Sequence, residues 1–210
     1  MRNTVPDPAH PNAVSIAILA GGKSNRIGTN KALLQVGEST LIERVVAAAK
    51  TCDPRPAIIT NTPAEFSFLN LPMIADEVAD AGPLGGIYTA LKHCRTSHCL
   101  VLACDLPFIS ADIVRYLAET GPAHEALVLR AANGPEPLCA TYSESCLPVI
   151  RRHIDKQTFK VQEIFSEIKV EFIAADNGRI PVTRETLHNV NTVADWEQAK
   201  TYLSSKDQET

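Results

Sequence analysis

Residues 16–31 read Ile-Ala-Ile-Leu-Ala-Gly-Gly-Lys-Ser-Asn-Arg-Ile-Gly-Thr-Asn-Lys, and no other stretch restricts the fold as tightly. Ile16 to Ala20 are five apolar residues in a row, a length that suits a fully buried strand. The run then breaks into glycine, polar and basic residues. From Gly21 to Lys31 there are three cations, Lys23, Arg26 and Lys31, and no acidic residue. Gly21 and Gly22 lack a Cβ, so backbone N–H groups there can approach a ligand closely and converge on it. With lysine and arginine alongside, such a nest suits a polyphosphate. The spacing is not that of a Walker loop, because Asn30 precedes the lysine and Gly28 stands six positions after Gly22. The G-x-G-x-x-G dinucleotide fingerprint is absent as well. The alternative is an ordinary strand-to-helix loop whose charges face water.

A buried strand feeding such a loop implies an α/β sheet, and the rest of the chain alternates accordingly. Ser39 or Thr40 can cap a helix reaching about Lys50, with Leu41, Ile42, Val45, Val46 and Ala49 on one side. Short strands are expected at Ala57–Thr60 and Leu71–Ala75, with a short helix or loop over Asn61–Asn70 between them. Pro83 suits the first turn of a helix carrying Leu84, Ile87 and Leu91 inward. Cys99–Cys104 is a second buried strand, and Ser110 caps the helix that follows. Ala126–Leu129 and Leu138–Tyr142 read as antiparallel strands around a Gly134-Pro135 turn. Helical patches at Ser145–His153 and Val161–Ile168, a strand at Lys169–Ala174 and a helix at Thr192–Leu203 complete the chain. The expected fold is one α/β domain over residues 14–210, with a mostly parallel sheet and antiparallel strands in its C-terminal half. Residues 1–13, with Pro6, Pro8 and Pro11 and no apolar h-region, are expected to be a flexible extension rather than a secretory signal.

At 210 residues the chain can bury a substantial core. A net charge of −4 argues against general affinity for nucleic acid or an anionic membrane, so an anionic ligand must be met by a local basic patch. No run approaches the roughly 18 apolar residues that would span a bilayer. Cys52, Cys94, Cys99, Cys104, Cys139 and Cys146 form no C-x-x-C pair, and several sit in apolar runs. They read as reduced, buried thiols and point to the cytoplasm.

In an open parallel sheet, ligands bind beyond the carboxyl ends of the strands. Three candidates fall at such ends: the loop after Ala20, Asp76 and Asp105. An aspartate straight after an apolar strand can hold a divalent metal beside a nucleotide, although turn-forming aspartates are common there too. Gly85 and Gly86 weaken the helix that opens at Gly82, by up to about 1 kcal/mol each relative to alanine. Either a flat ligand comes close to them or the helix packs tightly on the sheet. Asn189 and Asn191 fall on the same side of a short extended segment, where they could meet a metal or substrate. Equally, Asn191 or Thr192 could simply cap the last helix.

Taken together, the motifs at Leu19–Leu34, Asp76 with Gly82-Pro83-Leu84, Cys104–Phe108, Pro137-Leu138 and Asn189–Thr192 resemble those of nucleotidyltransferases of the molybdenum cofactor guanylyltransferase type. The resemblance implies a single Rossmann-like, three-layer α/β domain and an enzyme that uses GTP and Mg²⁺ to transfer GMP to molybdenum-molybdopterin, giving the guanine dinucleotide cofactor and pyrophosphate. It assigns Leu19, Ala20, Gly21, Gly22, Asp76 and Gly82 to the nucleotide, and Arg26 and Lys31 to its phosphates. It assigns Asp105 to Mg²⁺ and Asn189 and Asn191 to the pterin. Lys31, Arg26 and Asp105 would carry the catalysis. Partners implied are other molybdenum cofactor biosynthesis proteins and the molybdoenzymes that accept the product. A cytidylyl or sugar-phosphate nucleotidyltransferase, or a non-catalytic GTP-binding module, are the alternatives. Glu136 departs from the family pattern, which usually has a basic or amide residue before the proline, and it would repel a substrate phosphate.

Overall fold

Successive side chains along a strand point to opposite faces, and that alternation divides the interior of this protein into two cores. The computed structural model describes residues 14–21, 30–131, 133–174, 180 and 185–207, apart from the side chains of 206 and 207. In chain order the elements are β1 (Ser15–Leu19), β2 (Gln35–Val36), β3 (Ser39–Thr40), α1 (Leu41–Ala49), β4 (Ala57–Ile59), β5 (Met73–Ile74), α2 (Gly82–His93), β6 (His98–Ala103), α3 (Ala111–Thr120), β7 (Ala126–Ala131), β8 (Gly134–Ser143), α4 (Leu147–Asp155), β9 (Val170–Ala174) and α5 (Val193–Asp207). Ile16 and Ile18 of β1, Leu100 and Leu102 of β6, and Leu127 and Leu129 of β7 join α1 and α3 on one face. Ala17, Val101 and Val128, the residues between them, join α2 and α4 on the other. The result is the expected three-layer α/β/α arrangement.

The main sheet runs in the order β5-β4-β1-β6-β8-β7-β9. β8 is antiparallel to both its neighbours, while the other pairings are parallel. The hairpin connection between β7 and β8 is too short for a crossover, so these two must run in opposite directions. The strand at Leu71–Ala75 contracts to Met73–Ile74, and Val161–Ser166 is a 3₁₀ rather than an α-helix. β8 starts at Gly134, so Pro135 and Glu136 lie in a strand and not in a turn. Its register jumps: Val128 pairs with Ala140, but Leu129 pairs with Glu136. The displaced carbonyl of Pro137 accepts a 2.8 Å hydrogen bond from the phenol of Tyr142. A bulge of this kind bends a strand and re-aims its side chains, and here it presents Glu136 at the edge of the sheet where β6 ends.

Local signals hold where hydrogen bonding is local. Thr40 caps α1 in a box with Glu43, whose carboxyl the Thr40 backbone and hydroxyl hydrogen bonds keep below its ordinary value. Ser110 caps α3, accepting from the Ile113 N–H. A third, smaller core forms where Trp196 and Leu203 of α5 meet Leu34 and Val36. The Trp196 indole donates to the Gln35 carbonyl at 2.7 Å. This docking brings the segment before α5 back over the ends of β1 and β6.

Candidate active site

Leu19 and Ala20 complete the sheet. The Leu19 carbonyl accepts from Cys104 N–H at 3.2 Å, and Ala20 N–H donates to Ile59 at 2.9 Å. The Leu19 side chain turns under α2, where a Cβ added at Gly86 would come within 2.9 Å of it. One added at Gly85 would come within 2.8 Å of Ala81. Tight packing of α2 on the sheet therefore accounts for Gly86, whereas Gly85 faces the Ala81 side chain one turn earlier in the chain. Gly21 is different: it is exposed, and an added Cβ would touch nothing within 4 Å. Gly22, expected at the nucleotide, and Arg26, expected at its phosphates, lie outside the described residues, as does the 1–13 extension.

Lys31 opens a 3₁₀ turn over Lys31–Leu33 that Asn30 caps, its side chain accepting from Ala32 N–H at 3.1 Å. The Asn30 amide also donates to Glu65 at 2.7 Å. So anchored, Lys31 sends its ammonium to Asp105 Oδ2 as an ion pair and donates at 3.0 Å to Asn191 Oδ1. Asp105 follows β6 almost directly and is only 7% exposed. Its own carbonyl accepts from Val190 N–H at 3.0 Å, which holds the 189–191 segment in place. Taking a lysine and an aspartate out of water is costly, and mutual attraction offsets that only while both remain. The pair uses only one carboxylate oxygen. Asp105 Oδ1 is buried and has no hydrogen-bond partner among the described residues.

The two amides expected on one side have different partners. Asn191 serves Lys31, whereas Asn189 Nδ2 donates at 3.4 Å to Glu136 Oε2. Neither is the helix cap. Thr192 is, accepting from Asp195 N–H at 3.1 Å, while Asp195 Oδ2 accepts from the N–H groups of Asn191 and Thr192. Burial pushes the Glu136 carboxyl up, the Asn189 hydrogen bond opposes that, and the charge on Asp105 adds to it. Composition and spacing did not mark Glu136 as a site residue; its only sequence signal was a carboxylate where an amide or cation is usual.

Asp76 does not join the Lys31–Asp105 cluster. It is clasped by Asn61, which accepts from the Asp76 N–H at 3.0 Å and donates to Oδ2 at 2.9 Å. Burial raises its carboxyl above the ordinary value despite that bond. Gly82 begins α2 with φ +57°, a conformation that favours glycine. Across the sheet the order is therefore Asp76 after β5, Gly21 after β1, Asp105 after β6 and Glu136 in β8. At about 4.8 Å per strand, β5 to β6 spans roughly 14 Å, the scale of an extended nucleotide.

The six cysteines are free, and four are buried. Burial pushes the Cys104 thiol up to about 12, which suits a small hydrophobe rather than a nucleophile.

The sequence model of the MobA-like NTP transferase domain matches residues 16–170. This chain belongs to that family. Among relatives of the MobA-like chain, the probable molybdenum cofactor guanylyltransferase of Carboxydothermus hydrogenoformans is 37% identical, over 92% of this chain and 98% of its own length. The molybdenum cofactor guanylyltransferase of Desulfosudis oleivorans is 29% identical over 92% and 98%. The crystal structure of molybdopterin-guanine dinucleotide biosynthesis protein A from Archaeoglobus fulgidus superposes with a TM-score of 0.75 at 25% identity. It covers 91% of this chain and all of that one. The MobA-like fold and nucleotidyltransferase class expected from the sequence thus hold for this chain.

Proposed function

We propose that this chain transfers GMP from GTP to the terminal phosphate of molybdenum-molybdopterin, releasing pyrophosphate. The single observation that carries the reading is the meeting of Lys31, Asp105 and Asn191 beyond the ends of β1 and β6, with one Asp105 oxygen left over. The names of the relatives supply the choice of GTP and of the pterin acceptor.

That spare oxygen fits a divalent cation. Mg²⁺ is held by one or two carboxylates together with substrate phosphates and water, and Asp105 can meet it through Oδ1 while Oδ2 keeps Lys31. When bound, the ion supplies positive charge against the phosphates and orients them. The chain's own groups do the rest. The Lys31 ammonium, steered by Asn191, stabilises charge that develops on the departing pyrophosphate, and Arg26 joins it there. Gly21 and Gly22 offer backbone N–H groups to the phosphates. Leu19 and Ala20 form the floor beneath the nucleotide, and Asp76 and Gly82 take its far end. Asn189 and Asn191 border the acceptor. The acceptor phosphate is already ionised at neutral pH, so displacement at the α-phosphorus needs no general base. Positioning and electrostatics suffice.

Buried free thiols and the absence of a membrane-crossing helix among the described residues support a cytoplasmic setting for this reaction. The test is pyrophosphate release with GTP and with CTP, each with and without molybdenum-molybdopterin. Release that needs both GTP and the acceptor is expected. Preference for CTP would move the chain to the cytidylyl branch, and tight GTP binding without acceptor-dependent release would make it a binding module.

A further inference from the structure

We infer that Glu136 reads the acceptor, its carboxylate pairing with the adjacent N–H groups of a 2-amino-4-oxo-pteridine edge. The inference rests on the reading above and adds to it a residue that sets which way round the acceptor lies.

The bulge in β8 sets Glu136 opposite Leu129 of β7 and beyond the last β6 pairing, Leu102 with Cys139, where it feels the charge of Asp105. It is half-buried, and among the described residues it forms no ion pair. Its described hydrogen bond, from Asn189 at 3.4 Å, is long and uses one oxygen. A half-buried carboxylate without a cation is costly to keep, so a ligand with paired donors would satisfy it. The edge of a 2-amino-4-oxo ring offers such a pair: a ring N–H beside an exocyclic amino group, spaced to meet both oxygens of one carboxylate. A phosphate would meet repulsion from Glu136 and Asp105 together. The acceptor must then turn its phosphate away from Glu136, toward the α-phosphorus of the nucleotide, and its ring edge toward Glu136.

Guanine carries the same edge, so GTP is a second possible source of it. The sheet order favours the acceptor. Glu136 lies on the far side of Asp105 from Asp76 and Gly82, where the nucleotide's far end is assigned.

Two fluorescent pteridines separate these cases when titrated into the full chain with GTP present. Pterin carries the 2-amino group, and lumazine has a carbonyl in its place, which would face the carboxylate unfavourably. The wild type is expected to bind pterin about 10- to 100-fold more tightly than lumazine, as for a good bidentate pair. Glu136→Gln keeps the shape, should erase that preference, and should raise the acceptor KM by roughly tenfold or more while GTP affinity stays put. A merely structural Glu136 would instead weaken both ligands along with thermal stability. Equal binding of the two pteridines by the wild type overturns the inference. So does a Glu136→Gln variant that keeps the preference, or one whose loss falls on GTP. If the wild type prefers pterin yet makes no dinucleotide, the reaction assignment fails and the role of Glu136 stands.

Discussion

Lys31 and Asp105 lie 74 positions apart in the chain and meet as an ion pair that is largely removed from water. Removing either leaves its partner buried without the ion pair, so neither can be removed quietly. Lys31→Ala and Asp105→Ala should each cut turnover by about 10²–10³, as expected for loss of one electrostatic partner of a transition state. The double variant should be little worse than either single one, because the two act as a unit. Pyrophosphate release measures this, with far-ultraviolet circular dichroism to check the fold. Wild-type-like turnover in Asp105→Ala would take that residue out of the mechanism. Glu136 allows a pH test. Burial and the neighbouring Asp105 charge raise its carboxyl above the ordinary 4.5, so the folded chain keeps that proton to higher pH than the unfolded chain does. Stability from this group is therefore present at low pH and lost as pH rises through the raised value. Glu136→Gln should melt above the wild type at pH 7, with the gap closing in acid below the unfolded value. Thermal melts at the two pH values decide it, and a variant that melts lower at pH 7 would contradict the argument.

At the scale of elements, close approach matters more than propensity. Gly85 and Gly86 weaken α2 as an isolated helix, yet each sits where a Cβ would collide, with Ala81 and Leu19 respectively. The local sequence shows the weak helix and the nearby Ala81 but not the neighbour of Gly86, since Leu19 is contributed by a strand more than sixty residues earlier. Gly121, at the end of α3, is a sharper case. An added Cβ would lie 2.6 Å from Thr141 Cβ, and Thr141 is buried with its hydroxyl tied to the Leu117 carbonyl at 2.9 Å. Neither side can yield. Gly121→Ala should lower stability by about 1–3 kcal/mol, the usual cost of overpacking, as read from urea unfolding. Thr192 shows the reverse situation. A cap is local, so it was among the expected candidates, whereas the assignment of Asn191 to Lys31 depended on where α5 docks.

For the whole molecule, the candidate site and the buried Asp53 anchor sit at opposite ends of the sheet. Lys31, Asp105 and Glu136 are at the carboxyl end of β6, while Asp53 closes the other end. Asp53 is 4% exposed, accepts from Ile16 N–H at 3.1 Å, and takes Arg95 on both oxygens at 2.8 and 2.7 Å. Asp53→Ala strands a buried N–H, so unfolding free energy should fall by about 1–3 kcal/mol. GTP affinity should not change, because the loss is a sheet's length from the site. A combined drop in stability and in GTP binding, measured by denaturation and by titration, would mean the two ends are coupled. A cavity of ≈ 290 Å³ also opens at this end, lined by Ser15, Ile16, Arg55, His93 and Arg95 among others, and neither Lys31 nor Asp105 belongs to it.

Local pattern alone was enough for the alternation of strands and helices, the cap at Ser110, a cap at Ser39 or Thr40, and the glycine-and-cation loop after β1. These follow from side-chain period and from hydrogen bonds that span a few residues, so they need no partner from elsewhere. The sequence also carried enough spaced motifs to place the chain near its family. The convergence of Lys31, Asp105 and Asn191, the turn of Asn189 to Glu136, and the lone reversed direction of β8 in the main sheet came instead from the assembled fold. Each of those depends on strand order, register and helix docking, which are set by packing between segments far apart in the chain and leave no local pattern to read.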